Sequence, residues 1–124
     1  FIQGMGWLTM EELVWHPDDG SAKAGLLLTH APSTYKIPTA NDCPAVFDLR
    51  LWQDGKRAGD NVADTIHRSK ATGEPPLLLP FSVFFAIRDA VSAAGAHRVD
   101  PPLSAPATSE AILRAVTAVQ ARMR

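Results

Sequence analysis

The stretch from Leu77 to Ala96, in which only Arg88 and Asp89 are charged, constrains this chain more than any other feature. The spacing predicts a helix from about Leu78 to Ala94. Pro80 fits within its first turn, where a missing N–H costs nothing extra, and Gly95 is placed to stop it. Val83, Phe84, Phe85, Ala86, Ile87, Ala90 and Val91 point in several directions around that axis. A helix apolar most of the way round is buried on several sides. A chain of 124 residues offers few elements to cover it. Two readings stay open: a compact local core, or a large body of protein outside these residues. The opening of the chain bears on the choice. Phe1-Ile2-Gln3-Gly4-Met5-Gly6-Trp7 is an apolar, Gly-punctuated run, whereas natural N-termini are usually polar and loosely held. The expectation is a piece of a longer polypeptide.

Composition excludes several classes. Hydrophobic residues at 46% and a net charge of −1 leave no basis for long disorder. The same charge leaves no basic excess to neutralise a phosphate backbone, so no nucleic-acid partner is expected. The apolar run from Leu77 to Ile87 is interrupted by Pro80 and Ser82. It falls short of the roughly 20 residues that cross a bilayer, and no membrane partner is expected. The single cysteine, Cys43, excludes an internal disulfide framework and any multi-thiolate metal site. A lone thiol fits a reducing compartment, and a cytoplasmic location is expected.

The fold class read from the pattern is α/β in the α+β sense, with a few short strands and about three main helices. Trp7, Leu8, Met10, Leu13 and Val14 recur at helical spacing within residues 1–15. His16 to Gly25 reads as a surface loop. Leu26 to His30 reads as a short strand. Val46 to Trp52 alternates cleanly, with Phe47, Leu49 and Leu51 on one face and Asp48 and Arg50 on the other, and reads as the best strand. Thr108 caps a last helix whose apolar stripe is Ile112, Ala115, Val116, Val119 and Met123. The organisation expected is a core over 1–95 containing a loop at 70–77, a Pro-rich linker over 96–108, and a terminal helix over 109–124.

Most candidate sites are weak. His16, His30, His67 and His97 lie too far apart in sequence to pair on one helix face or turn. Cys43 sits in a loop with no histidine at a known nucleophile spacing. Gly4-Met5-Gly6 follows no strand, so it is no dinucleotide fingerprint; these glycines are read as allowing close backbone packing. Glu11 and Glu12 point about 100° apart on a helix and are read as solvated. Glu74 differs. It stands between Gly73, which can bring backbone close to another group, and Pro75-Pro76, which stiffen the loop. Near a helix start and the interior, it is either an N-terminal capping acid or a rigidly held general base.

The run Lys70-Ala71-Thr72-Gly73-Glu74-Pro75-Pro76-Leu77, followed by Phe81 to Asp89, resembles the C-terminal part of the molybdenum-binding portion of the xanthine dehydrogenase and aldehyde oxidase family. Two further blocks agree in order and spacing: Phe1 to Gly6 running into Thr9-Met10-Glu11-Glu12-Leu13, and Pro32-Ser33-Thr34-Tyr35-Lys36-Ile37-Pro38. The likeness covers residues 1–95, and the tail to Arg124 is most similar to the large subunit of the bacterial members. It implies a segment of a larger molybdopterin-binding domain from a molybdenum hydroxylase that oxidises xanthine and hypoxanthine. In such an enzyme Glu74 is the catalytic base that activates a molybdenum-bound hydroxyl for attack on an electron-poor carbon. Gly73 and Gln3 fall on motifs near the cofactor and are carried over as cofactor-binding. No residue here is expected to ligate the metal, whose sulfur ligands come from the pterin. The resemblance also implies 2Fe-2S clusters and FAD in other domains or subunits, NAD reached through the flavin, and the rest of the molybdenum-binding subunit as partner. The alternatives are an aldehyde or other heterocycle hydroxylase of the same family, and a non-catalytic assembly or binding module. The turns at 19–25 and 53–60 look longer than the family pattern.

Overall fold

The computed structural model describes residues 1–50, 65–68 and 73–123. Four α-helices are formed: α1 (Ile2–Thr9), α2 (Pro75–Leu78), α3 (Phe81–Ala93) and α4 (Ser109–Ala121). Two short 3-10 turns lie at Ala40–Asp42 and Ile66–Arg68. Among the described residues no strand forms, and the three longer helices carry the fold. This mostly helical piece is compatible with part of a molybdopterin-binding domain.

α4 follows the sequence pattern closely. Thr108 is extended, and its hydroxyl accepts a bond from the Ala111 N–H at 3.2 Å, satisfying one of the donors left open at a helix start. Glu110 adds a favourable charge in the first turn and pairs with Arg114 one turn on. Ala115 and Val119 are buried, and Ile112 and Val116 are half-buried beside them. Met123, the last residue of the expected stripe, stays 40% exposed.

α3 supplies the other half of this core. Val91, Leu103, Ala107, Ala115 and Val119 form one buried cluster, with Phe84, Ile87 and Val99 packed against it. Pro101, Leu103 and Ala107, all within residues 96–108, are buried. The Ala107 N–H donates to the Leu8 carbonyl at 2.7 Å, which joins this core to the end of α1. Gly95 is not the left-handed stop that its position suggests; Ala96 and His97 hold the positive φ angles instead. Gly95 is buried because a Cβ there would stand 2.5 Å from Val119 Cγ1. Its smallness lets α3 and α4 meet.

Several expectations need correction. The single helix over 78–94 is divided: α2 runs Pro75–Leu78, Leu79–Pro80 intervene, and α3 starts at Phe81. Pro80 is helical in dihedral angle but is the N-cap residue of α3, because it has no N–H to continue the ladder from α2. Counted together, Pro75–Ala93 is 19 residues and apolar enough to cross a membrane by length and composition only, which the shorter count to Ile87 had missed. One face of α3 is anchored in the core. The other side presents Phe81 and Phe85 at 40% and 56% exposure, beside Leu78 at 66%.

The first helix also lies earlier than its pattern. α1 ends at Thr9, whose hydroxyl donates back to the Met5 carbonyl at 2.6 Å. Val14 and His16 instead pair with Leu26 and Leu28 through His16 N–H to Leu26 O and Leu28 N–H to Val14 O, at 2.8 and 2.7 Å. This is a single antiparallel bridge, Trp15 to Leu27, and not the strand expected over 26–30. The connecting loop turns at Gly20 and Gly25, whose φ angles of 75° and 74° suit glycine. The expected strand over 46–52 is described only to Arg50, and residues 46–50 form no ladder with any described residue. All five are exposed, Val46 and Leu49 at 84% and 66%, and Phe47 meets the Phe1 ring at 5.9 Å between centroids. A strand needs a neighbouring ladder to satisfy its backbone, and none of the described segments lies alongside.

Replacing Thr108 by Ala is expected to lower stability by about 0.5–2 kcal/mol, the usual cost of losing such a cap. Denaturant midpoints of the two proteins measure it, and Thr108→Ser should restore most of the loss. An unchanged midpoint in Thr108→Ala would show that the cap contributes nothing.

Candidate functional site

The site is assembled around α1, and its two glycines decide the geometry. Gly4 and Gly6 are two residues apart, so they face nearly opposite ways, about 200° around the axis. A Cβ on Gly4 would stand 1.8 Å from the Pro76 carbonyl oxygen and 2.7 Å from Pro80 Cγ. A Cβ on Gly6 would stand 2.4 Å from Pro38 Cδ and 2.7 Å from Glu11 Oε1. Both glycines are buried. The reading that they permit close backbone approach is therefore right, and the partners are now named. One face of α1 seats the Gly-Glu-Pro-Pro loop; the other seats the Pro32–Pro38 segment.

Glu74 is the N-cap residue of α2, yet its side chain makes no capping bond. Its carbonyl accepts the Leu77 N–H at 2.9 Å, which is backbone only. The carboxylate is exposed and not near the interior as expected. It has no hydrogen-bond or ion-pair partner among the described residues. Gly73 beside it faces open space: a Cβ there would meet nothing within 4 Å. The close approach expected of Gly73 is not made to any described residue. The loop tip thus presents an unengaged carboxylate and an uncrowded backbone to whatever lies outside the described residues. That arrangement fits a cofactor brought by other residues.

Gln3 is exposed on α1. It lines a groove of about 410 Å³ with Ile2, Trp7, Glu11, Ile37 and Pro38. Packing of α1 on α2 brings Gly4 against Pro76, one residue from Gln3 and two from Glu74. Gln3 itself opens on the Pro38 side of α1, and no described contact joins its side chain to Gly73 or Glu74. Among the described residues no group of three His, Cys, Asp or Glu is placed to hold a metal ion. His16 and His97 make ordinary contacts, to the Pro17 carbonyl at 3.1 Å and to Asp89 at 3.6 Å. Cys43 is exposed.

The sequence reading missed one pair. Glu11, taken as solvated, is half-buried, and the Tyr35 hydroxyl donates to its Oε2 at 2.5 Å. This bond closes the Gly6 side of α1 by tying the Pro32–Pro38 segment to the residues just after the helix. The hydrogen bond to Glu11 first, and burial second, push the Tyr35 hydroxyl above its ordinary value of 10.0. Pro32 and Pro38 bracketing one tyrosine was the available signal that the segment is held in one shape.

Comparison with known proteins settles what the junction belongs to. Residues 1–44, which include α1 and both of its glycines, match a family described as molybdopterin cofactor-binding domain. Over 116 residues the chain is 46% identical to a xanthine dehydrogenase of Oryza sativa subsp. japonica, covering 90% of this chain and 8% of that protein. It is 48% identical over 94 residues to a xanthine dehydrogenase of Dictyostelium discoideum, covering 76% of this chain and 6% of the relative. A xanthine dehydrogenase/oxidase of Rattus norvegicus is 45% identical over 122 residues, again covering 93% and 8%. The chain belongs to the xanthine dehydrogenase family. It spans 6–8% of the length of these relatives and corresponds to a molybdenum-binding segment of that family.

Tyr35 is the only tyrosine in the chain, so its titration is readable by tyrosinate absorbance. Glu11→Gln removes the charge that opposes ionisation and is expected to bring the Tyr35 pKa down toward 10.0. A group raised in the folded state stabilises it below the unfolded pKa. That stabilisation is lost as pH rises through the folded value, so the pair should hold below pH 10.0 and weaken above it. A titration curve identical in wild type and variant would show that the bond does not form.

Proposed function

We propose that this segment supplies the general base of a molybdenum hydroxylase acting on xanthine and hypoxanthine, and that the base is Glu74. The observation that carries the reading is the idle carboxylate. Glu74 occupies a capping position without capping, so the bland explanation for an acid there fails on geometry. An exposed carboxylate on a loop stiffened by Pro75 and Pro76 and seated on Gly4 is positioned for a task outside this chain. The names of the relatives support the substrate class.

The molybdopterin cofactor, when bound, supplies the two-electron oxidising centre and the oxygen that attacks an electron-poor carbon. With the cofactor bound, Glu74 would stand as the base, accepting a proton at a carboxylate oxygen beside the reacting centre. Gln3 and Gly73 line the cofactor's side of the junction, Gln3 through its amide and Gly73 by leaving room. The exposed apolar side of α2 and α3 is covered by the rest of the molybdenum-binding subunit. On this reading 2Fe-2S clusters and FAD held by other parts of the protein would supply the route for electrons, with NAD as the acceptor and the cytoplasm as the location.

In the intact enzyme Glu74→Gln keeps the shape and removes the base. A loss in kcat for xanthine of about 10²–10⁴-fold is expected from general acid–base catalysis, at unchanged molybdenum content. A kcat within tenfold of wild type would return Glu74 to a merely structural role. The 124-residue segment alone is expected to retain no molybdenum and to oxidise no xanthine, because its apolar face stands uncovered. Metal analysis and a xanthine assay of the purified segment check this, and stoichiometric metal with turnover would refute it.

A further inference from the structure

We infer that Gly4 is a positioning residue for catalysis: by admitting the Pro76 carbonyl against the body of α1, it sets where the Glu74 carboxylate stands. The inference rests on Glu74 being the base. Its own ground is geometric. The Glu74 side chain has no hydrogen bond or ion pair among the described residues, so side-chain contacts do not locate it. The backbone does. Two residues beyond Glu74, the Pro76 carbonyl oxygen lies where a Cβ of residue 4 would be, at 1.8 Å. Pro80 closes the same contact from the far end of α2; its ring is almost wholly buried and its Cγ would stand 2.7 Å from that Cβ. Gly4 therefore holds Pro76 within α2 and Pro80 just beyond it, and Pro75 and Pro76 transmit that position to Glu74 with little slack, because each ring fixes its own φ.

One methyl group is enough to test this. Contacts of a real Cβ below 3.0 Å essentially do not occur, so Gly4→Ala must drive the Pro76 carbonyl from 1.8 Å to beyond that limit. The displacement exceeds about 1 Å, and a misplacement of that size can cost about 10²-fold in rate. The Pro76 end of the contact is backbone, which has no free rotamer to swing aside.

The experiment uses the full-length, molybdenum-loaded enzyme, with rates expressed per molybdenum. Gly4→Ala is expected to lower kcat for xanthine about 10²-fold with KM nearly unchanged. Gly95→Ala is the control. It inserts a crowded methyl at the α3–α4 contact, 2.5 Å from Val119 Cγ1, and should leave kcat per molybdenum at the wild-type value. The double variant Gly4→Ala with Glu74→Gln should be no slower than Glu74→Gln alone, because a base that is absent cannot be misplaced. If Glu74→Gln is slow and Gly4→Ala keeps wild-type kcat, the inference about Gly4 fails while the base stands. If Glu74→Gln itself keeps wild-type kcat, the base fails first. If the two losses multiply in the double variant, Gly4 acts by another route and the inference is overturned. Should Gly4→Ala yield no loaded enzyme, Pro80→Ala carries the test by removing the ring from the same contact. It should lower kcat about tenfold at unchanged KM, a smaller displacement than Gly4→Ala, and wild-type kcat in that variant would overturn the inference.

Discussion

Everything that positions the site depends on α1 being thin at two places. Gly4 and Gly6 strip the helix to its backbone on nearly opposite sides, and prolines from two distant segments fill both gaps. Glycine inside a helix costs about 1 kcal/mol against alanine. That cost is offset here by contacts that no larger residue would permit. The backbone bond from Ala107 to Leu8 then ties the same helix to the α3–α4 core. An eight-residue helix, too short to be stable alone, becomes the part against which the Gly-Glu-Pro-Pro loop is located.

The second region is built on the opposite logic. Between α3 and α4 the core is made of ordinary apolar side chains, with Val119 fully buried and Gly95 making room for it. It covers only one face of α3. The remaining Phe81, Phe85 and Leu78 surface is too apolar for a helix that ends its life in water. A chain that spans 6–8% of its relatives leaves such a face for other residues to cover. The lone alternation at 46–50 has the same explanation: its pattern is that of a strand whose ladder partners are not among the described residues.

Glu74 shows why an acid's place in a motif is not its role. Position alone made a cap and a base equally good readings. The cap was excluded by one observation, the missing side-chain bond at the start of α2. Thr108 provides the contrast within the same molecule: also an N-cap, it makes the bond to Ala111 that Glu74 does not.

The amino-acid sequence by itself determined the local features. The cap at Thr108, the stripe Ala115–Val119, the helix start after Glu74 and the packing role of Gly4 and Gly6 all follow from residue type and spacing within a turn or two. A link between Gln3 and the Gly73-Glu74 pair was suggested only by family likeness, since Gln3 lies about 70 residues from the other two. Tertiary structure decided the rest. It chose which backbone fills each glycine gap, moved Glu11 from solvent to Tyr35, and placed Glu74 outside rather than inside. It also split the apolar helix at Pro80 and left the strand pattern at 46–50 without a strand. The physical reason is common to these cases. Periodicity records which face of a segment wants cover, but the covering group comes from a distant part of the chain or from outside it, and only packing chooses among the candidates.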